Sequence, residues 1–199
     1  SSFSYGNDAV ETVSYDPDGA KKLLEESGWT DTDGDGYADK DGQKLTINWL
    51  TYPTRLEQPK LAEYAQATLK DIGIDVQVNN TSDHRTFAEN GDFDVYVSST
   101  TTAPTGDPEY FFTSTVVGAK NYGNYQNEEV TKLTDQLHQT FDKDERGKLA
   151  VELQQKILDD DAFFFVSHLN MGIVTKSNVT GMAAHPCDYY EITADLDVE

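Results

Sequence analysis

The chain has 199 residues and a formal net charge of −21 at pH 7, because 36 Asp and Glu outnumber 15 Lys and Arg. Binding to duplex nucleic acid or to an anionic membrane requires a cationic face, so the charge argues against both partners. Metal ions, peptide amines and basic protein surfaces remain possible partners. The alternative is that the negative charge only keeps the protein soluble. The aromatic content of 11% is far too high for a disordered chain.

The sequence contains no recognisable disulfide pair, membrane-spanning segment or signal peptide. Cys187 is the single cysteine, which excludes an intrachain disulfide. No run of about 18 apolar residues predicts a membrane span, and no basic start leads into an apolar stretch. The chain opens with Ser1 and Ser2 instead of Met. We therefore expect a piece of a longer protein, and the lack of targeting signals decides nothing.

The first half of the chain alternates helices and strands. Residues 1–14 predict an irregular lead-in, and a helix follows that Asp16 caps, Pro17 begins and Gly28 ends. Side-chain periodicity then predicts a strand over 45–50, a helix over 57–72, a strand over 74–78, a helix over 82–90 and a strand over 93–97. This order predicts an α/β fold with substantially parallel strand pairing.

The second half begins with a long loop and continues with two helices. Residues 100–126 are rich in Thr, Pro and Gly, with Tyr and Phe interleaved, which is typical of a functional loop. Asn127 and Asp142 predict the N-caps of the two helices, and Glu145 completes a capping box in the second.

Two further strands are predicted after these helices. The apolar run from 162 to 166 has the length of a buried strand, and residues 173–174 are placed in another strand after a turn at 170–172. The tail, 181–199, is expected to be extended.

An acidic, glycine-rich segment after the first helix has the spacing of a calcium-binding loop. Carboxylates at alternate positions surround a hard cation, and a glycine after the third lets the loop turn sharply. The predicted ligands are Asp31, Asp33, Asp35, Tyr37 and Asp39. Tyr37 would bind through its backbone carbonyl and the others through their carboxylates. Gly42 stands at the twelfth position in place of a bidentate Glu, so we expect weak, structural calcium binding and no required cofactor. An acidic turn without metal is the alternative.

The loop at 104–125 contains a candidate small-ligand site. A carboxylate, Asp107, lies among Thr and Tyr hydroxyls in a partly apolar stretch, which is the usual composition of a ligand pocket. Two alternatives stay open. Tyr110, Phe111 and Phe112 could anchor a short helix to the core, and Asp107 could simply cap that helix.

Catalytic motifs are missing from the sequence. There is no Gly-x-Ser-x-Gly elbow, no Cys–His pair suggested by spacing and no Gly-rich phosphate loop. His84, His138, His168 and His185 lack metal-ligand spacing, so ordinary structural roles are expected for them. We therefore expect no enzymatic activity.

Five segments occur in a specific order along nearly the whole chain from Tyr15. They are YDPDGAKKLLEESGWTDTDGDGYADKDGQKLTINWLTY, AEYAQATLKDIGIDVQV, GDFDVYVSSTTTAPTGDPEYFF, YQNEEVTKLTDQLHQTFDKDERGKLAVELQQKILDDDAFFFVSHLN and DYYEITADLDV. This order resembles the C-terminal lobe of ABC-transporter solute-binding proteins of the dipeptide, oligopeptide and nickel class (bacterial extracellular solute-binding protein family 5). The last segment resembles the tail of nickel-binding members.

The resemblance implies a periplasmic-binding-protein-like (type II) lobe, with a mixed sheet flanked by helices, formed by residues 15–199 as a single lobe. Family members are roughly twice as long, and their two lobes close on the ligand like a hinged trap. The implied partners are the missing N-terminal lobe, an ABC permease and a short peptide or a nickel or other metal–chelator complex. The implied location is extracytoplasmic, either periplasmic or as a cell-surface lipoprotein.

The ligand contacts that the resemblance implies fall in the loop after the third strand. A carboxylate in that loop holds the peptide amine in peptide-binding members, and Asp107 is the nearest match. Nickel-binding members bring an aromatic residue there, where Thr101, Thr102 and Thr105 stand here, and a histidine after it, which is missing between His84 and His138. The predicted ligand-binding residues are Thr101, Thr102, Asp107, Tyr110 and Phe111.

Two alternative functions belong to other classes. The first is a calcium-stabilised extracellular interaction module. A lobe should expose an apolar, Tyr-rich face where its partner packs, which a self-standing module should not. The second is a hydrolase fragment, which would require two carboxylates about 5 to 9.5 Å apart beside a cleft.

Overall fold

A computed structural model describes residues 9–101, 103, 106–167, 169, 172–184 and 192–198. The described chain divides into two compact units. Residues 13–100 form the first unit, and the described parts of 1–12 and 101–199 form the second. The single lobe over 15–199 stays a prediction. Within the described ranges, no helix is both long enough and apolar enough to cross a membrane.

Capping determines where the first helix begins. The helix α1 (Pro17–Glu26) starts as predicted, because the Asp16 side chain accepts a hydrogen bond from the Gly19 amide at 2.9 Å and proline occupies the first helical position. A short antiparallel hairpin of β1 (Asp39–Lys40) and β2 (Gln43–Lys44) follows.

The first unit is built on a parallel sheet, as predicted. Its central strand β3 (Thr46–Thr51) pairs in parallel with β4 (Asp75–Asn80) on one side and with β5 (Val95–Tyr96) on the other. The helices α2 (Glu57–Lys70) and α3 (His84–Asn90) make the connections. Because these strands run in one direction, their carboxyl ends meet at the same edge, where ligands gather in open α/β sheets.

Apolar side chains on the sheet and on α2 form the core of this unit. Leu50 of β3, Val76 of β4 and Ala62 of α2 are each at most 1% exposed, and α2 packs on both strands. Burial of a Leu or Val side chain contributes about 1.5 to 3 kcal/mol, so these contacts fix α2 against the sheet.

Helices dominate the second unit. Its elements are α4 (Glu109–Phe111), a π-helical turn (Phe112–Val116), α5 (Glu128–Gln139), α6 (Lys143–Asp159) and the antiparallel strands β6 (Val179–Thr180) and β7 (Asp197–Val198). The predicted caps are confirmed, because the side chains of Asn127 and Asp142 each accept two hydrogen bonds from amides of the helix that follows. The core of this unit comprises Phe111, Phe112, Val116, Val130, Leu133, Leu137, Leu149, Ala150, Leu153 and Ile157.

The two strands predicted after α6 are not formed, and both predictions are wrong for the described residues. Residues 162–167 and 172–176 have an irregular backbone, and Asn170 and Met171 of the predicted turn lie outside the described residues. A strand requires a neighbour for its backbone hydrogen bonds. In the described chain, the run 162–166 finds no such neighbour. An apolar run of strand length cannot reveal whether a pairing partner is present.

Candidate functional site

Asp107 lies just before the short helix α4, where it contacts the first amide of the helix and is also paired with an arginine. Its Oδ1 accepts a hydrogen bond from the Glu109 amide at 2.9 Å. Arg146 donates to both carboxylate oxygens, from Nη2 to Oδ1 at 2.6 Å and from Nε to Oδ2 at 2.9 Å. The contact with the Glu109 amide is of the kind that the capping alternative predicts, although Pro108 occupies the N-cap position itself. Ligand binding by Asp107 stays a prediction, and a ligand amine would share a carboxylate that already has three N–H donors.

Arg146 ties together the ends of three helices. Its Nη2 also donates to Glu109 Oε2 at 2.9 Å, and its Nη1 donates to the carbonyls of Leu137 and Thr140, each at 2.6 Å. These acceptors lie at the start of α4 and the end of α5, while the arginine is in the first turns of α6. The Arg146 side chain is only 13% exposed, and a buried cation needs acceptors of this kind. We call Arg146 with Asp107, Glu109 and the two carbonyls the arginine clasp.

The clasp extends to His138 through Glu109. Nδ1 of His138 lies 2.6 Å from Glu109 Oε1. Burial raises the pKa of Glu109, but the hydrogen bonds from His138 and Arg146 outweigh this effect and leave its pKa below the ordinary value. Glu109 is therefore ionised at neutral pH and helps to balance the Arg146 charge. His138 lies at the surface, with its side chain 72% exposed.

The aromatic residues after Asp107 divide between surface and core. Tyr110 is exposed, and its hydroxyl accepts a hydrogen bond from Lys120 Nζ at 3.2 Å. Phe111 is buried and meets the ring of Phe163 edge-on, with ring centroids 5.8 Å apart. The core-anchoring alternative is therefore present for Phe111, while Tyr110 keeps an accessible ring. Ligand contact by either residue stays a prediction.

The two predicted threonines receive no structural assignment. Thr101 is half-buried, and Thr102 lies outside the described residues. Within the described ranges, the Asp107 carboxylate accepts hydrogen bonds from the Glu109 amide and from Arg146. The roles of both threonines remain predictions.

Three of the predicted calcium ligands converge in the acidic loop. One carboxylate oxygen each from Asp31, Asp33 and Asp39 lies within 4.8 Å of the other two. Oxygens that share one calcium ion lie within about 5 Å of each other, because calcium–oxygen distances are about 2.3 to 2.6 Å. The spacing of these three oxygens therefore fits a calcium ion. Asp35 is not one of these three residues, and its carboxylate pairs with the Lys44 ammonium. Its role as a calcium ligand stays a prediction.

Hydrogen bonds within the loop hold these carboxylates in place. The two oxygens of Asp31 accept from the amides of Gly34 and Gly36, at 2.7 and 3.0 Å. Asp39 accepts from the Thr32 hydroxyl at 2.6 Å and from the Thr32 amide at 2.9 Å, and these bonds lower its pKa. The loop is thus preorganised without a cation. The ligand role of the Tyr37 carbonyl stays a prediction.

A cluster of ring side chains at the carboxyl edge of the sheet was missed in the sequence. Tyr52 directly follows β3, His84 begins α3 and Tyr96 ends β5. The imidazole stacks on the Tyr52 ring, with centroids 4.1 Å apart and planes inclined by 22°. Its Nδ1 lies 2.7 Å from the Tyr96 hydroxyl. Polar rings after successive strands were the available signal, but only His84 was considered, and a structural role was expected for it.

The family of the chain follows from its match to a family model. The model is described as bacterial extracellular solute-binding proteins, family 5 Middle, and it matches residues 1–123. The chain belongs to this family. It is 30% identical over 198 residues to the oligopeptide-binding protein AppA of Bacillus subtilis (strain 168), and the aligned region covers 96% of this chain and 36% of AppA. It is 27% identical over 194 residues to the nickel-binding periplasmic protein of Escherichia coli (strain K12), with coverage of 93% and 36%.

A solved structure gives the same relationship. The structure of Bacillus subtilis AppA in complex with a nonapeptide matches with a TM-score of 0.80 and 28% identity. The aligned region covers 94% of this chain and 39% of the AppA chain. The predicted resemblance and the type II periplasmic-binding-protein fold are confirmed. The family is one of solute-binding proteins of transport, not of enzymes. The chain spans 36% of the length of each of the two curated relatives.

Proposed function

We propose that this chain belongs to the substrate-binding component of an ABC importer. That component captures a short peptide or a nickel or other metal–chelator complex between two lobes and delivers it to a membrane permease. The observation that carries the proposal is the match over 94% of the chain to a binding protein with a nonapeptide bound. The protein would act outside the cytoplasmic membrane, in a periplasm or as a lipoprotein on the cell surface.

Two arginines at the carboxyl edge of the sheet support capture of an anionic group. Arg55 lies in the loop after β3, and Arg85 is the second residue of α3, which follows β4. Both side chains belong to exposed residues, and neither has a carboxylate within 4 Å in the described part of the chain. In a protein with 36 acidic residues, unpaired arginines are suited to a carboxylate from outside, as in a peptide C-terminus or a chelator.

An exposed apolar face in the second unit supports a second lobe as partner. Phe164 is 89% exposed, and Phe165 and Val166 are about half exposed. Phe163 and Phe165 pack on Phe111, so neighbouring side chains of this run point in different directions, as they do in a strand. A run with strand-like alternation and an uncovered Phe is what the packing of a further lobe would bury, whereas a self-standing module would not leave it open.

The acidic loop is assigned a structural role within this proposal. The oxygens of Asp31, Asp33 and Asp39 fit one calcium ion, and a bound ion would offset the repulsion between these carboxylates. The missing bidentate ligand at Gly42 keeps the affinity low, in a range suited to extracellular calcium.

Calorimetric titration of the full-length protein tests the function. The probes are a nonapeptide without ionisable side chains and nickel(II) with two equivalents of histidine. We expect one of them to bind, and we expect Arg55→Gln to weaken that binding at least ten-fold through the loss of a charge-assisted hydrogen bond. Lys60→Gln, an exposed cation on α2, serves as the matched control. Failure of both probes to bind would contradict the proposal.

The same titration decides the ligand role of Asp107. If the Asp107 carboxylate pairs with a ligand amine, the substitution Asp107→Asn in the full-length protein should weaken binding by about 2 to 5 kcal/mol. Unchanged affinity would leave Asp107 as a helix cap and a partner of Arg146.

A further inference from the structure

We propose that His84 is a positioning residue for ligand binding. This inference rests on the proposed function, since it concerns the carboxyl edge of the same sheet. The imidazole, held between the Tyr52 ring and the Tyr96 hydroxyl, fixes the path of the chain that leaves β5 towards the ligand.

Tyr52 is the direct anchor of that chain. Regular contact with the sheet continues to Val97, whose amide donates to the Leu50 carbonyl at 3.0 Å. Two residues later the Ser99 amide donates to the Tyr52 hydroxyl at 3.1 Å. Tyr52 is only 7% exposed, so its hydroxyl is held at one place. The course of the chain at Ser99 therefore depends on the orientation of the Tyr52 ring.

His84 sets that orientation. Its ring lies against the Tyr52 ring at 4.1 Å between centroids, and its own rotation is fixed by the contact of Nδ1 with the Tyr96 hydroxyl at 2.7 Å. Tyr96 is in turn packed against Phe93, with centroids 5.7 Å apart. The ends of β3 and β5 thereby meet at one imidazole at the start of α3, and Tyr52 connects them to Ser99.

Packing alone does not require a histidine at this position. A phenylalanine would fill the same stack, because stacked pairs depend on ring shape and area. What the imidazole adds is a hydrogen bond at Nδ1 and a proton that can be gained near neutral pH. A neutral imidazole with its proton on Nε2 accepts the Tyr96 hydroxyl proton at Nδ1. A protonated imidazole donates there, and the Tyr96 hydroxyl must turn its own proton to another acceptor.

The charges around the cluster favour the neutral ring. On α3 and its cap, Arg85 and Asp83 flank His84, while the strand ends present the uncharged side chains of Tyr52 and Tyr96. Burial and the Arg85 charge lower the pKa of His84, and the Asp83 charge opposes them. Acidification therefore adds a second cation beside Arg85 and reverses the hydrogen bond to Tyr96. The anchor at Ser99 should be strongest at neutral pH and weaker in acid.

Hydrogen exchange in the full-length protein tests the anchor without a ligand. The observable is the protection of a peptide that spans 97–101, relative to the intrinsic exchange rate, at pH 5.5 and pH 7.5. Tyr52→Phe removes the hydroxyl that holds Ser99, so protection should fall about five-fold to ten-fold at both pH values, the loss of one net hydrogen bond. His84→Phe keeps the stack and removes the titrating group. In the wild type, protection should fall about three-fold or more at pH 5.5, and in His84→Phe it should be the same at both pH values.

Titration with a nonapeptide that lacks ionisable side chains then tests the effect on binding. Wild-type affinity should fall between pH 7.5 and pH 5.5, and His84→Phe should show a flatter profile. Equal pH dependence of protection and affinity in the wild type and in His84→Phe would overturn the positioning role. If the wild type binds no nonapeptide at either pH, the proposed peptide ligand fails, while the exchange data still decide whether His84 positions the chain.

Discussion

Arg146 and Asp107, 39 positions apart in the chain, form a two-point ion pair in which Nη2 and Nε each donate to a different carboxylate oxygen, at 2.6 and 2.9 Å. The pair connects the start of α4 to α6, and the same guanidinium reaches the end of α5. The carboxylate that contacts the first amide of α4 therefore also holds the helical unit together.

The first prediction concerns the stability of the arginine clasp. A pure cap would lose only a few tenths of a kcal/mol in Asp107→Asn, because Asn caps well. Since this change also removes the ion pair, we expect a loss of about 1 to 2 kcal/mol, after allowance for the partial exposure of Asp107. Arg146→Met removes the cation that donates to two carboxylates and two carbonyls and should cost about 2 to 4 kcal/mol. Urea unfolding measures both.

Arg55→Met is the matched control for this experiment, because Arg55 is exposed and has no acidic partner in the described chain. Its effect should stay within about 0.5 kcal/mol. A loss in Asp107→Asn no larger than that of the control would show that the ion pair contributes nothing to stability.

The second prediction concerns calcium in the acidic loop. We expect the melting temperature to be higher in 5 to 10 mM calcium, on the order of the weak extracellular range, than in EDTA. Asp33→Asn and Asp39→Asn should each abolish the shift, since both belong to the convergent group. Asp35→Asn should keep it, because this carboxylate pairs with Lys44. A wild type without a shift, or an equal shift in Asp33→Asn, would refute calcium binding at this loop.

The third prediction concerns alkaline pH and Tyr125. Its hydroxyl donates to Asp160 Oδ2 at 2.6 Å. Burial and this hydrogen bond raise its pKa to about 12. Because the folded-state pKa lies above the unfolded value, the stabilisation is complete below about pH 10 and is lost as the pH rises through the folded-state pKa.

Difference absorbance at 295 nm between the wild type and Tyr125→Phe isolates this titration from those of the other tyrosines. The difference should develop near pH 12 in the folded protein. A difference that develops near pH 10 would mean that the hydrogen bond to Asp160 does not form in solution.

The fourth prediction uses two adjacent phenylalanines as a matched pair. Phe163 packs on Phe111 and Tyr125, whereas Phe164 is 89% exposed. In the 199-residue chain, Phe163→Ala should cost about 2 to 3 kcal/mol, somewhat less than a fully buried phenylalanine, and Phe164→Ala should have an effect within about 0.5 kcal/mol.

The full-length protein should respond differently at Phe164. If a second lobe covers this side chain, Phe164→Ala should cost about 2 kcal/mol there, because the same ring becomes buried. An equally small effect in both chain lengths would show that no part of the longer protein packs on this face.

The sequence was most informative where the determinants of structure are local. Asp16, Asn127 and Asp142 begin helices where the side chains predict it, since a cap depends only on the next three residues. The alternation of apolar residues likewise predicted the strands β3, β4 and β5. The order of strands and helices predicted their parallel pairing.

Relationships between distant residues could not be predicted in this way. No local pattern connects Arg146 to Asp107, or Tyr52 to His84 and Tyr96, because these contacts are created by the packing of separate elements. The strand predicted at 162–166 failed for a related reason. Its apolar composition is local information, but its hydrogen-bonding neighbour is not.

Native mass spectrometry of the full-length protein, purified from its own host without added ligand, tests the central claim most directly. If the protein is a solute-binding component, it should carry a small solute in one-to-one stoichiometry, with the mass of a short peptide or of a metal–chelator complex, and gentle acid should release it. A protein that carries no solute, and that also binds neither the nonapeptide nor the nickel–histidine complex, would contradict the account.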